Sequence, residues 1–191
     1  MGEIIRQTAG LPAVVAEGPQ QYLTFLLGGE MFAVGILNVK EIIEYGAVTE
    51  IPMMPRFIRG VINLRGAVVP VIDLTARFGG AATQAGRRTC IVILELPENE
   101  EQQTIGVVVD AVSEVLEIPA SAIEPPPGFG ARIRADFILG MGKVKDRIHL
   151  DQAERFVIIL NVARVLASDE IALLAKLQQG GAPPGSSVAE E

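Results

Sequence analysis

Asp73 and Asp110 each close an apolar stretch, and two carboxylates carried at strand ends could share acid–base work, one protonated and one ionised. His149 could serve beside them as a base or as a metal ligand. The surrounding residue types argue against both roles. An aspartate that ends a strand ordinarily caps a turn or accepts a nearby backbone N–H. The chain has one histidine and one cysteine, so no ligand set with the spacing of a metal site can be completed. That cysteine, Cys90, precedes Ile91, Val92 and Ile93, the setting of a small buried side chain and not of a reactive thiolate. Gly140-Met141-Gly142 lacks the third glycine and the following Lys-Ser/Thr of the phosphate-cradling loops, and reads as strand punctuation. The expectation is no catalytic residue, no metal and no cofactor. The alternative, a small β-barrel enzyme using Asp73, Asp110 and His149, requires those three to converge in one pocket.

Composition narrows the field further. Hydrophobic residues make up 49% of 191, enough for a sizeable core, yet no uncharged apolar run reaches the roughly 20 residues of a membrane-spanning helix. Glu3, Arg6 and Pro12 interrupt the first eighteen residues, which do not form a signal peptide; a cytoplasmic protein is expected, with no direct membrane insertion. A net charge of −7 gives no counterion-release drive toward nucleic acid, and no tryptophan is present to build a stacking platform.

The elements that would position these side chains are mostly strands. Leu23, Phe25 and Leu27 alternate on one face, and Gly28-Gly29 turns the chain into a second strand over 31–34. Asn38 can cap a helix in which Val39, Ile42 and Ile43 recur at helical spacing for a turn or two. Residues 45–51 read as extended, Pro52 and Pro55 as a turn, 56–60 as a brief helical turn, and 61–64 and 67–73 as strands joined by Arg65-Gly66. Pro70 cannot donate to a ladder and implies a sheet edge or a bulge. A helical turn over 74–78 and a small-residue loop over 79–86 lead to a second hairpin, 88–96 with 104–112 around an acidic loop. Residues 115–118 continue as a strand, a Pro-rich loop runs from Pro125 to Gly128, and strands follow over 137–144, 147–150 and 155–160. A final helix begins at Ser168, with Asp169 and Glu170 at its positive end and Ile171, Leu174 and Leu177 as its apolar stripe, and Gly180-Gly181 ends it. Nine or ten short strands with few helices make the chain all-β.

The run Phe57-Ile58-Arg59-Gly60-Val61-Ile62-Asn63-Leu64-Arg65-Gly66, followed by Val68-Val69-Pro70-Val71-Ile72-Asp73-Leu74, closely resembles the CheW family. So do Leu37-Asn38-Val39-Lys40-Glu41-Ile42, the segment from Gly106 to Val115, and Asp136-Phe137-Ile138-Leu139-Gly140, so that the likeness covers about residues 20–175. The resemblance implies two five-stranded SH3-like barrels packed on a shared apolar core, with short helices and a C-terminal helix. The expected division is a flexible segment 1–19, a domain 20–178 and a disordered tail 179–191. Within the domain, a first lobe spans about 20–78 and a second about 86–150, closed by a strand and helix over 155–178. Family likeness implies a non-catalytic adaptor or scaffold of two-component chemotaxis signal transduction, acting through protein–protein contacts. Its partners would be the regulatory domain of the histidine kinase CheA and the cytoplasmic tip of a methyl-accepting chemotaxis receptor, which would recruit it to arrays at the inner face of the membrane. A parallel chemosensory pathway governing surface motility or biofilm behaviour is the alternative circuit.

By the same likeness, receptor binding falls to Val39, Ile42 and Arg65, with Gly106 and Val108 lining the same region. Kinase contact is carried over only as a region around Val48, Ile51, Val68 and Val71. Val39 and Ile42 three apart on a helix would share a face suited to a partner helix, although core packing explains the pair equally well. Arg65 in its Gly-flanked turn would ordinarily be solvated; at an interface rim it could fix orientation through a bidentate bond.

Overall fold

The computed structural model describes residues 18–98, 101–126, 133–145 and 154–179. The strands expected over 147–150, the Pro127-Gly128 end of the Pro-rich loop and the Gly180-Gly181 stop lie outside these residues, as does His149.

Among the described residues, eleven strands form two sheets. The chain opens on the hairpin β1 (Gln20–Leu27) and β2 (Glu30–Gly35), whose two-residue turn has Gly28 and Gly29 at φ 58° and 85°, the left-handed pair that matches the twist of flanking strands. It then lays down β3 (Val39–Glu44), β4 (Ile58–Leu64), β5 (Ala67–Asp73), β6 (Cys90–Glu98) and β7 (Glu101–Val109) as one sheet in the order β3-β6-β7-β5-β4. β8 (Ala111–Ile118), β9 (Ile123–Glu124), β10 (Ile138–Lys145) and β11 (Glu154–Leu160) return to the opening hairpin as the sheet β8-β1-β2-β11-β10-β9. The sheets thus cut the chain differently from lobes at 20–78 and 86–150: residues 39–109 build one, and the stretches on either side build the other.

Both sheets curl around cores of their own. Ile43 on β3 and Ile62 and Leu64 on β4, the two edge strands, pack with Val69, Val71, Ile91, Ile93 and Val108. Ile118 on β8 and Ile123 on β9 likewise meet Tyr22, Ala33, Val157 and Ile159. Opposite edges facing one interior is what closing a sheet toward a barrel requires. A third and larger core lies between the sheets, joining Phe25, Phe32 and Val34 to Ile72, Val92, Leu94 and Val107; each such side chain stabilises the fold by about 1.5–3 kcal/mol on full burial. This is the expected pair of lobes over a shared apolar interior, one lobe carrying a sixth, two-residue strand.

The two lobes repeat one wiring. Each is an edge strand, an antiparallel hairpin, one parallel junction (β7 with β5, β2 with β11) and a second hairpin. Phe57-Ile58-Arg59-Gly60 at β4 matches Phe137-Ile138-Leu139-Gly140 at β10: both strands bulge between the isoleucine and the glycine. The Phe57 carbonyl accepts from Asp73 N at 2.7 Å, and the Phe137 carbonyl from Asn161 N at 2.8 Å. Asp73 and Asn161 then cap the one-turn helices α1 (Leu74–Arg77) and α2 (Val162–Val165). The lobe made of β8–β11 enters this pattern part-way, borrowing β1 and β2 for the hairpin that β6 and β7 supply in the other.

Two local expectations are corrected. Residues 39–44 form a strand, not a helix; only Ile36–Asn38 makes a helical (3-10) turn before it. Pro70 sits in an interior strand, not at an edge. The β5–β7 ladder begins only at Val71, so the residue without an N–H lies one position short of the pairing that would need it. The closing helix α3 (Asp169–Gln179) forms as expected: Ser168 Oγ accepts from Ile171 N at 3.1 Å, and Ile171 and Leu174 enter the shared core.

Candidate interaction surface

Asp73 and Asp110 are each occupied by local structure. Asp73 is fully buried and takes bonds from Ala76 N (3.1 Å), Thr83 N (2.7 Å) and Thr83 Oγ1 (3.2 Å), with Arg59 Nε at 3.7 Å. It caps α1 and pins the 79–86 loop. Asp110 accepts from Gly28 N at 2.7 Å, tying the first hairpin turn to the end of β7. Both carboxylates hold backbone, the role that strand-end aspartates ordinarily have. Among the described residues no group of three or more His, Cys, Asp and Glu could hold a metal ion. A small cavity in the shared core is lined entirely by apolar side chains, among them Val34, Leu94, Val107 and Val165, and offers nothing to bind a polar substrate.

The residues carried over for receptor binding divide into two groups. Gly106 and Val108 are buried inside the five-stranded lobe. A Cβ on Gly106 would stand 2.8 Å from Ile91 Cγ2 and 3.4 Å from Ile93 Cδ1, so this glycine lets β6 and β7 pack closely and presents no surface. Val39, Ile42 and the partner of Arg65 all lie on β3, the first two on one face of the strand and Glu41 on the other. Val39 stands opposite Leu94, and Glu41 opposite Ile93, so two residues of β3 span one step of β6 in a bulge at Lys40. Directly opposed residues share a face. Leu94 and Val92 both face the shared core; their partners Val39 and Ile42 therefore point the same way. The three-residue spacing that imitates a helix is a bulged strand with the same consequence. Val39 packs against the rim of the core, and Ile42, 41% exposed, continues the apolar line outward.

Arg65 reaches the same edge. It and Gly66 form the two-residue turn between β4 and β5, at φ 52° and 89°, and Gly66 N donates to Asn63 Oδ1 at 2.8 Å. An arginine in this left-handed conformation is uncommon. Its guanidinium forks onto Glu41, Nη1 to Oε1 at 2.6 Å and Nη2 to Oε2 at 2.9 Å, with the Arg65 side chain 73% exposed. The pair links opposite edges of the curled sheet. Beside it, Lys40 pairs with Glu95. Glu41, which sequence reasoning did not single out, thus fixes where Arg65 points. Its signal was its place in the Leu37–Ile42 run, legible only once β3 is a strand.

Of the residues assigned to kinase contact, Val68 is 39% exposed, Val48 and Ile51 are half-buried against the cores, and Val71 is wholly inside. Leu37 and Met53, the latter at φ 63°, are the most exposed large apolar side chains among the described residues. No helix among them is long and apolar enough to cross a membrane.

A model of the CheW-like domain matches residues 21–170. The chain is similar to chemotaxis protein CheW of Klebsiella aerogenes, 37% identical over 81% of this chain and 86% of that one. It is also similar to protein FrzA of Myxococcus xanthus, 30% identical over 80% and 92%. A crystal structure of the scaffolding protein TtCheW from Thermoanaerobacter tengcongensis superposes with a TM-score of 0.67 at 33% identity, covering 80% of this chain and 90% of that one. The domain match and these likenesses lead to one conclusion: the chain belongs to the CheW-like family of chemotaxis scaffolds and adaptors, and it is not an enzyme.

Proposed function

We propose that this protein couples methyl-accepting chemotaxis receptors to the histidine kinase CheA, working in the cytoplasm at receptor arrays as one unit over about residues 20–178. The observation that carries the reading is that one edge strand, β3, carries Val39 and Ile42 on the face toward the shared core and the Arg65–Glu41 pair on the other. An apolar line flanked by a preset guanidinium suits a receptor helix: the aliphatic side chains bury against it, and the arginine orients it through a carboxylate or carbonyl. Gly106 and Val108 support this edge from inside. Kinase contact falls on the five-stranded lobe, at the exposed Val68 with the half-buried Val48 and Ile51, and not on the buried Val71.

Omitting the protein from a mixture of receptor and CheA should abolish ligand control of kinase autophosphorylation, and control that persists unchanged refutes the coupling role. Arg65→Glu should weaken receptor binding about tenfold or more in a titration while the circular dichroism spectrum stays unaltered. A parallel chemosensory circuit is the second reading, favoured by similarity reaching FrzA as well as proteins named for chemotaxis; pull-down with each CheA-like kinase of the source organism separates the two.

A further inference from the structure

Arg77, the last residue of α1, meets three separate parts of the fold. Its guanidinium lies 4.7 Å from the Phe57 ring centre, at the entry to β4, and 5.3 Å from the Phe137 ring, at the entry to β10. Nε donates to the Val165 carbonyl at 2.9 Å and Nη2 to the Ala167 carbonyl at 3.1 Å. Those carbonyls end α2, where a helix leaves acceptors without partners and a cation is favoured. Burial, and then the neighbouring Arg134, lower the pKa of Arg77, while Glu170 and Asp136 act against that. Arg134 also stacks on Phe137, at 4.9 Å, and is forked onto Asp136.

The segment that Arg77 holds is a cover over the shared core. From Asn161 onward it contributes Val162, Val165, Leu166, Ile171 and Leu174, and α3 packs against β5. Beneath it lies the small apolar cavity, walled on one side by Val162, Val165 and Leu166 and on the other by Val34, Leu74, Leu94 and Val107. In the repeat relating the lobes, Arg77 of α1 corresponds to Val165 of α2, and Arg77 reaches across to that residue. One lobe's capped turn latches the other's.

We infer that α2–α3 is a strap that detaches and unfolds as one cooperative unit from Asn161 onward, and that Arg77 is the positioning residue that latches it and ties the rings at the entries of both lobes together. The strap's partners are this chain's own carbonyls and core, so the inference stands apart from the receptor-binding reading.

The test is native-state hydrogen exchange on the full chain, comparing the wild type with Arg77→Met, which keeps an apolar stem but neither the charge nor the fork. The amides of Val165, Leu166 and Ala172, bonded within the strap, should exchange about tenfold faster. Those of Val92 and Val107, in the β6–β7 ladder, should be unchanged. Equal acceleration at both sets, or none at either, overturns the strap. Should Arg77→Met fail to fold, Arg77→Lys carries the comparison, since it retains a cation over the rings but lacks the planar fork that reaches both carbonyls.

Discussion

A glycine's missing side chain decides more at Gly106 than any charge does. Ile91 Cγ2, 2.8 Å from where a Cβ would sit, belongs to a β-branched residue that has little freedom to swing away. Gly106→Ala should therefore cost about 1–3 kcal/mol in urea unfolding, and receptor affinity should fall only as far as the folded fraction does. A variant of full stability that no longer bound would instead make this a contact residue. Resemblance placed Gly106, Val108 and Val71 at partner surfaces because a motif records position and not burial; here both faces of β5 and β7 are covered, one by the shared core and one by the lobe's own. Arg65 was legible as an exposed turn residue. Its partner was not, because Glu41 is 24 residues away in sequence and meets it only once the sheet has curled.

Most strands could be read from alternation and turn chemistry; β5 and its Asp73 cap stand where 67–73 was read, and Ser168 starts the last helix. β3 could not. A bulge adds one residue to a period of two, and Val39, Ile42 and Ile43 then imitate helical spacing. Removing Lys40, the residue without a partner, should restore plain alternation while Val39 stays opposite Leu94 and Ile42 opposite Val92, so both keep their faces. The expected outcome is a folded protein that keeps Arg65 on Glu41 and still binds receptor. Binding lost in the same titration, from a variant that still folds, would show that the bulge itself and not the faces it preserves sets the interaction edge. The matched Phe-Ile-X-Gly runs at 57–60 and 137–140 were in plain view and mark the two-lobe repeat. They escape a search for repeats in tandem because the lobe formed by β8–β11 completes itself with the first hairpin of the chain.

At the scale of the molecule, the shared core draws Phe25, Phe32 and Leu160 from one sheet and Ile72, Leu94 and Val107 from the other. Neither sheet buries its apolar face alone, so the lobes should melt together, in a single calorimetric transition whose van't Hoff and calorimetric enthalpies agree. Two resolved transitions would contradict a common interior. The chain path carries a further consequence for biosynthesis. β11, late among the described residues, is inserted between β2, early among them, and β10. While the ribosome is still at work, the opening hairpin has β8 to pair with but not its parallel neighbour, and Phe25 and Phe32 wait without their final cover. A nascent chain stalled before residue 154 would thus offer a sticky aromatic face to chaperones, and emergence of β11, rather than of the hairpins made before it, would time its maturation.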